Sequence, residues 1–209
     1  MRKFTIFILL ISNFFVFYPT TSAQNADVVL LKDINNTAPG LRPVSIFITE
    51  TAIPISLAIP IGMGGYSLIN RDKDLFKDAF YIAFASGVNL GMTQILKNTI
   101  RRERPANTYP NEFYVYETRY DFSMPSGHTS SAFATATALS LKYPEWYVVV
   151  PAYIWASSVG LSRMHLGLHY PTDVVAGAAL GAGSAYLTYK VNEWLWDTYD
   201  IKGWRIIKK

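Results

Sequence analysis

Five uncharged, mainly apolar stretches, separated by short polar segments, make up most of the chain after residue 50. They are residues 51–70, 79–96, 129–141, 146–162 and 174–189. Each is predicted to form a helix. A membrane-spanning helix needs about 20 apolar residues, so stretches of this length fit either the buried helices of a soluble bundle or short membrane spans.

Residues at the ends of these stretches favour the membrane interpretation. Trp146, Trp194 and Trp196 flank apolar segments in the way that aromatic belts flank membrane spans. Lys190 follows the last stretch directly and has a stem long enough to reach the interface. The sequence therefore predicts a membrane protein in preference to a soluble bundle.

Prolines and glycines modify two of the predicted helices. Pro54 and Pro60 predict a kink in the helix over residues 51–70. Gly177 and Gly181 are four positions apart in the last stretch, so both lie on one side of a helix. Small residues at this spacing allow a neighbouring helix to approach closely.

The N-terminal residues have the organisation of a targeting segment. Arg2 and Lys3 precede the apolar residues 4–18, and small residues follow up to Ala23. This pattern predicts a secretory signal peptide over residues 1–23, or an uncleaved first transmembrane helix. Residues 24–46 are polar and are predicted to be an extracytoplasmic linker or a segment that lies on the surface.

The order of apolar and polar segments predicts which side of the membrane each loop faces. If each stretch crosses once, the loops over residues 97–128 and 162–173 share the external side, and the basic tail, residues 197–209, is internal. The tail obeys the positive-inside rule, but the cations between residues 97 and 104 do not. Anion binding is the simplest reason for cations on that side.

Composition narrows the class of protein further. The formal net charge is +4, and charged residues are 16% of the chain, below the roughly 25% typical of soluble domains. No basic stripe indicates a nucleic-acid partner. Cysteine is absent, which excludes disulfides, a thiolate nucleophile and cysteine metal sites.

Three polar clusters at the ends of apolar stretches carry the candidate chemistry. The first spans residues 97–105, the second residues 125–128 and the third residues 162–173. The positions that matter for the chemistry supply cations, two imidazoles (His128 and His169), the Asp173 carboxylate, a hydroxyl and a glycine N–H. Phosphoryl transfer depends mainly on positioning and on charge stabilisation, and this set of groups suits that task.

Five residues are candidates for holding the phosphate. Lys97 supplies a point charge, and Arg104 and Arg163 supply planar, bidentate donors. Ser126 adds a hydroxyl, and Gly127 allows its N–H to approach the phosphate at the start of a predicted helix. No metal ion or other cofactor is needed in this scheme.

Two histidines can divide the reaction between them. His169 is the candidate nucleophile, because Asp173, four residues later, can hold its second ring nitrogen. His128 is then the candidate acid, which protonates the leaving oxygen and later activates water against a phosphohistidine. The ordinary imidazole pKa suits both tasks near neutral pH.

Together the clusters resemble the motifs of the type 2 phosphatidic acid phosphatase (PAP2) superfamily, which includes membrane lipid phosphatases, secreted acid phosphatases and vanadium haloperoxidases. The matching elements are Lys97-x6-Arg104-Pro105, Pro125-Ser126-Gly127-His128 and Ser162-Arg163-x5-His169-x3-Asp173. The resemblance implies an all-α bundle with five to six transmembrane helices, a phosphatase domain over residues 47–196, and the roles given above for the same residues.

The implied activity is that of a metal-independent phosphatase acting on a lipid phosphate or diphosphate, such as a phospholipid phosphate or a polyprenyl diphosphate. The implied location is the periplasmic face of a bacterial inner membrane. A soluble, secreted acid phosphatase of broad specificity remains an alternative, as does a non-catalytic membrane protein that binds phospholipids. A vanadium haloperoxidase is disfavoured, because those enzymes usually have longer chains.

Other polar residues in the clusters have simpler interpretations. The spacing of His165 and His169 could suggest a zinc site on a helix, but Gly167 and Pro171 interrupt a helix there. His165 is therefore predicted to form a local hydrogen bond. Arg101 and Arg102 are interpreted as solvated charges or contacts to lipid headgroups.

Overall fold

The computed structural model describes residues 21–198, with side chains from residue 26 to residue 194. This part of the chain is all-helical, as predicted. Its helices, in chain order, are α1 (Thr21–Asn36), a 3-10 turn (Pro39–Leu41), α2 (Arg42–Glu50), α3 (Ala52–Asn70), α4 (Lys73–Ile100), the short α5 (Pro105–Thr108), α6 (Gly127–Lys142), α7 (Trp146–His165) and α8 (Pro171–Thr198).

Helix α6 lies at the centre of the bundle and packs against α3, α4, α7 and α8. Its side chains are small, and Ala132, Ala134, Ala136 and Ala138 are all buried. Helix α8 approaches it closely at two glycines. A Cβ atom on Gly181 would lie 2.1 Å from the Ser130 carbonyl oxygen. The close approach predicted from the glycine spacing is therefore confirmed, and α6 is the neighbour.

The bundle has polar side chains among the apolar clusters of its interior and an apolar outer surface. Hydroxyl and amide side chains are buried between the helices: Ser56, Asn89, Thr93, Ser130 and Thr135. Large apolar side chains are exposed on α3, α4, α7 and α8: Leu57, Ile61, Phe80, Phe84, Ile95, Ile154 and Leu187. Water-soluble proteins rarely expose so much contiguous apolar surface, whereas lipid is a suitable solvent for it.

Two helical segments are long and apolar enough to cross a membrane, namely Pro39–Asn70 and Lys73–Thr108. Helix α3 is continuous across both prolines. Pro54 lies in its first turn, where a missing N–H costs little, and Pro60 lies inside the helix. The number of membrane crossings expected from the sequence, five to six, stays a prediction.

The segment predicted as a linker, residues 24–46, is largely helical. Helix α1 packs against α7 and α8, and Leu31 lies in a cluster with Met164 and Tyr170. A short 3-10 turn at Pro39–Leu41 separates α1 from α2. Of the signal peptide predicted for residues 1–23 and the basic tail predicted for residues 197–209, residues 1–20 and 199–209 lie outside the described residues.

The three polar clusters meet at one end of the bundle. They come from the end of α4 and the loop after it, the start of α6, and the turn between α7 and α8. The Ser126 N–H donates to the Asp173 carbonyl oxygen at 3.0 Å, which ties the start of α6 to the start of α8. The far end of the bundle holds a separate ion pair between Lys142 and Asp78.

Candidate active site

His169 lies in the tight turn between α7 and α8, and Asp173 lies in the first turn of α8. The turn requires a glycine before the histidine. Gly167 has φ +69°, and a Cβ atom there would lie 2.2 Å from the Tyr114 carbonyl oxygen. This turn directs the ring of His169 inward, towards Arg104 and Ser123 of the loop after α4, and its side chain is 2% exposed.

The two ring nitrogens of His169 face groups of opposite charge. Nδ1 is 3.5 Å from Asp173 Oδ2, a long contact for a hydrogen bond. Nε2 is 3.2 Å from a terminal nitrogen of Arg104. Because a guanidinium only donates, Nε2 accepts and carries the lone pair, and the proton of the neutral ring lies on Nδ1, facing the carboxylate.

The environment of His169 favours this neutral form. Burial is the main cause that lowers its pKa, together with the charges of Arg104 and Arg163, and the net pKa is about 3. The hydrogen bond to Asp173 opposes the shift but does not outweigh it. At neutral pH the ring is therefore unprotonated at Nε2, the state that a nucleophile or a base requires.

The Asp173 carboxylate is fully buried and has partners on both oxygens. Oδ2 accepts hydrogen bonds from the Ser123 hydroxyl at 2.5 Å and from the Tyr170 N–H at 2.9 Å. Oδ1 accepts from Arg102 at 2.7 Å. The carboxylate is thus fixed in the orientation in which it faces His169.

Lys97 and Arg104 converge on a carboxylate that the sequence did not single out. Asp121 Oδ2 is 3.0 Å from Lys97 Nζ, and Oδ1 is 2.8 Å from a terminal nitrogen of Arg104. Both cations are almost fully buried, whereas the side chain of Asp121 is 53% exposed. Lys97 also donates to the Phe122 carbonyl, and Arg104 to the Leu168 carbonyl.

The pKa of Asp121 reflects these two cations. Partial burial alone would raise it, but the hydrogen bond from Lys97 and the charge of Arg104 hold the pKa of this carboxyl below its usual value. Asp121 is therefore ionised at neutral pH and acts as an internal anion for the pair.

Arg163 is bound differently from the other two cations. It is 1% exposed, and one terminal nitrogen donates to the Thr49 hydroxyl at 2.8 Å. Its Nε and its second terminal nitrogen have no hydrogen-bond partner among the described residues. Burying donors without acceptors is costly, so these nitrogens indicate a place for an anion.

Ser126, Gly127 and His128 form the start of α6. Ser126 occupies the N-cap position, but its hydroxyl pairs with Thr129 at 2.8 Å and not with a backbone N–H. A Cβ atom on Gly127 would meet only Thr93, at an ordinary 3.8 Å, so packing inside the protein does not require glycine there. The half-buried His128 ring forms no hydrogen bond with the described residues.

The structure thus brings all eight predicted site residues to one end of the bundle: Lys97, Arg104, Ser126, Gly127, His128, Arg163, His169 and Asp173. It corrects the interpretation of Arg102, which is bound to Asp173 and is not a solvated charge. Arg101 is exposed, and its side chain donates to the Asn98 carbonyl and to no other group among the described residues. His165 forms a hydrogen bond, as predicted, but the bond is not local: its partner is Ser45, 120 positions earlier, 2.7 Å from Nδ1.

Four contributors to the site were missed by the sequence analysis: Asp27, Thr49, Asp121 and Ser123. Ser123 stands three residues before Ser126, so its closeness to the second cluster was a usable signal. Asp27 and Thr49 precede the first motif by dozens of positions. Only the packing of α1 and α2 against α7 and α8 brings them to the site.

A sequence model of the PAP2 superfamily matches residues 78–197. The chain therefore belongs to this superfamily, the one indicated by its three motifs.

Three curated relatives illustrate the similarity. A lipid A 1-phosphatase of Porphyromonas gingivalis is 32% identical over 142 residues, which are 66% of this chain and 29% of the relative. An undecaprenyl-diphosphatase of Sulfolobus acidocaldarius is 33% identical over 53% of this chain and 52% of its own. The bacitracin transport permease protein BcrC of Bacillus licheniformis is 31% identical over 76% and 75%. The chain thus spans about half or less of the first two.

The fold also matches that of a solved protein. A transmembrane PAP2-type phosphatidylglycerolphosphate phosphatase from Bacillus subtilis superposes with a TM-score of 0.70 at 26% identity, covering 92% of this chain and 94% of that one. LpxE of Aquifex aeolicus shares the fold, with a TM-score of 0.62 at 24% identity over 77% of this chain and 93% of that one. With the apolar outer surface, these matches assign the chain to the membrane.

Proposed function

We propose that this protein is a membrane phosphatase that hydrolyses a lipid phosphate or diphosphate through a phosphohistidine intermediate. The observation that carries the proposal is the buried His169–Asp173 pair facing Arg104 and Arg163. A neutral imidazole among buried cations is suited to attack on a phosphoryl group, whose negative charge the cations stabilise.

Three features support a phosphate position beside His169. Arg163 presents two nitrogens that lack acceptors among the described residues. Lys97 and Arg104 already hold an anionic group, the Asp121 carboxylate. The start of α6 adds the Gly127 N–H at a helix N-terminus. We propose that Ser126 contributes its hydroxyl by turning away from Thr129.

In the first chemical step, His169 Nε2 attacks phosphorus and the bond from phosphorus to the leaving oxygen breaks. Arg104, which faces Nε2 in the substrate-free protein, donates instead to a phosphoryl oxygen. Burial and the charge of Arg163 lower the pKa of His128 to about 3 in the substrate-free protein, so its ring gains a proton only when the negatively charged phosphate binds beside it. The resulting imidazolium gives that proton to the leaving oxygen. Asp173 holds the Nδ1 proton and stabilises the positive charge that the ring gains.

In the second step, His128 takes a proton from water, and the water oxygen attacks phosphorus. The bond between phosphorus and Nε2 breaks, which regenerates neutral His169 and releases inorganic phosphate. No metal ion takes part in either step, because Lys97, Arg104 and Arg163 supply the positive charge.

The position of the site in the bundle indicates the class of substrate. The site lies at one end of helices whose outer faces are apolar, so a lipid can reach it from the bilayer. Relatives named for lipid A and undecaprenyl diphosphate support a lipid substrate. The order of apolar segments and the basic tail, residues 197–209, support a periplasm-facing site in the inner membrane. We also propose a phosphatase domain over residues 47–196 and a signal peptide or first span over residues 1–23.

The test is phosphate release by the full chain, purified in detergent with EDTA present. Undecaprenyl diphosphate, phosphatidic acid and a water-soluble aryl phosphate are compared. We expect release from a lipid, at least about 10⁴-fold slower in His169→Ala. The matched control is His165→Ala, because this ring contacts Ser45 and not the reaction site.

The alternatives correspond to distinct outcomes. Equal or faster release from the aryl phosphate by protein recovered without detergent would indicate a secreted acid phosphatase. Lipid binding without turnover would indicate a non-catalytic binding protein. Full activity of His169→Ala would overturn the mechanism. An acid-labile phosphate that labels wild type and not His169→Ala after rapid quenching would identify the intermediate.

A further inference from the structure

Arg102 connects the N-terminal helix to the candidate active site. One terminal nitrogen of its guanidinium donates to Asp173 Oδ1 at 2.7 Å, and the other donates to Asp27 Oδ2 in α1 at 2.6 Å. The guanidinium carbon also lies 3.9 Å from the centre of the Tyr170 ring. Three separate contacts therefore fix this side chain in a single orientation.

Asp27 contacts the same turn a second time. Its carboxylate accepts from the Thr172 N–H at 3.0 Å and from the Thr172 hydroxyl at 2.6 Å. Asp27 is 6% exposed although it lies in a segment with few other buried residues. The chain between His169 and Asp173 is thus held from α1 by hydrogen bonds that no short-range pattern could supply.

The three side chains that connect the active site to α1 alternate in the sign of their charge. Asp173 is negative and fully buried, Arg102 is positive, and Asp27 is negative. A buried carboxylate requires a nearby opposite charge, and Arg102 is its ion-pair partner among the described lysines and arginines. Arg102 in turn is oriented by Asp27, because a bidentate guanidinium is positioned by the acceptors at both of its ends.

We propose that Arg102 and Asp27 are positioning residues, which act on the reaction by fixing Asp173 and, through it, the ring of His169. Helix α1 then contributes to catalysis, because it supplies Asp27. This inference rests on the proposed phosphatase function.

The proposal has an electrostatic consequence. His169 faces Asp173 on α8, Ser123 and Arg104 in the loop after α4, Arg163 on α7 and His128 on α6. The positive charge of Arg102 weakens the attraction of Asp173 for a proton on His169. Removing this charge strengthens the attraction and raises the pKa of His169. Since the neutral ring is the reactive form, the acid limb of the rate profile moves to higher pH.

The test measures kcat, KM and the pH profile of kcat/KM for phosphate release by four variants of the full chain: Arg102→Gln, Arg102→Lys, Asp27→Asn and Arg101→Gln. The last is the matched control, since Arg101 is adjacent and exposed and its side chain donates to Asn98 of its own helix. Substrate titration is common to all variants, so differences between their profiles report on the protein.

For Arg102→Gln we expect kcat to fall by about 100-fold with KM changed less than about threefold, and the acid limb to move to higher pH. For Asp27→Asn we expect about a tenfold fall in kcat, the range in which loss of a supporting group falls. Arg102→Lys should keep the acid limb near that of wild type. A fifth variant that combines Arg102→Gln with Asp27→Asn should be no slower than Arg102→Gln alone.

Two results would overturn the inference. One is an Arg102→Gln profile that matches the profile of Arg101→Gln. The other is a fall in kcat with an unmoved acid limb and a lowered unfolding temperature, the signature of a merely structural role. Absence of turnover by wild type on every lipid tested would instead overturn the proposed function.

Discussion

The three cations of the proposed phosphate site form two halves that differ in their partners: Lys97 with Arg104, and Arg163. Lys97 and Arg104 are paired with the Asp121 carboxylate, at 3.0 and 2.8 Å. Arg163 has a single hydroxyl partner, Thr49, and two nitrogens with no partner among the described residues. An arriving phosphate therefore gains new hydrogen bonds at Arg163, but must displace an existing anion at Lys97 and Arg104.

This difference assigns separate tasks to the two halves. The unpaired nitrogens of Arg163 are costly in the substrate-free protein, and that cost is recovered when an anion binds. Asp121 neutralises the other half until substrate arrives. Its carboxylate is 53% exposed, so it can turn outward without unfolding its surroundings. Arg163 should thus dominate turnover, and Asp121 should limit affinity.

The largest effect is expected from Arg163→Ala. Loss of a preorganised donor to the developing charge costs about 10²- to 10³-fold in rate, and we expect a fall of that size in kcat/KM for the lipid substrate. Arg163→Lys should recover only part of it, because an ammonium does not reproduce the planar fork. Steady-state kinetics in detergent provide the measurement. A loss below about threefold for Arg163→Ala would contradict the assignment.

A smaller and opposite effect is expected from Asp121→Asn. The amide no longer competes as an anion for Lys97 and Arg104, so KM should fall by about tenfold, equivalent to about 1.4 kcal/mol. Glu117→Gln is the matched control, since this residue of the same loop pairs with Arg119. An increase in KM for Asp121→Asn would mean that the carboxylate orients the two cations and does not compete with substrate.

The smallest effect concerns the pH profile. The pKa of His169 is lowered by burial and by the charges of Arg104 and Arg163. Protonation below that pKa removes the nucleophile, so the acid limb of kcat/KM that belongs to His169 should lie below pH 6.5, the ordinary histidine value. Arg163→Ala removes one lowering charge, and its acid limb should lie higher than that of wild type. Coincident limbs would contradict this account.

The proposed catalytic and phosphate-binding residues could be predicted from the sequence better than the helix ends and the partners that surround them. The histidines and their cations lie in three motifs of fixed spacing at the ends of uncharged stretches, so they could be identified from the sequence. Helix ends were less predictable. The predicted stretch begins at residue 79, because charged residues precede it, whereas α4 begins at Lys73. The first turns of α4 are charged and largely exposed, and Asp72 caps them.

Long-range partners could not be derived from local pattern. Asp27 and Asp121 are ordinary acidic residues in polar segments, and nothing beside them in the chain indicates burial or pairing. Their positions follow from tertiary packing: α1 against the turn at residues 166–173, and the loop after α5 against α4. For the same reason Arg102 was interpreted as a solvated charge or a headgroup contact. Its side chain is in fact bound to Asp27 and Asp173, whereas the side chain of the adjacent Arg101 is exposed.

The most direct test is the affinity of the purified full chain for inorganic phosphate, measured by calorimetry in detergent. Wild type, Asp121→Asn and Arg163→Ala are compared. If phosphate competes with Asp121 and binds the unpaired nitrogens of Arg163, Asp121→Asn binds about tenfold more tightly than wild type and Arg163→Ala binds more weakly. Equal affinities in all three, or weaker binding by Asp121→Asn, would contradict the central claim that these two halves form one phosphate site.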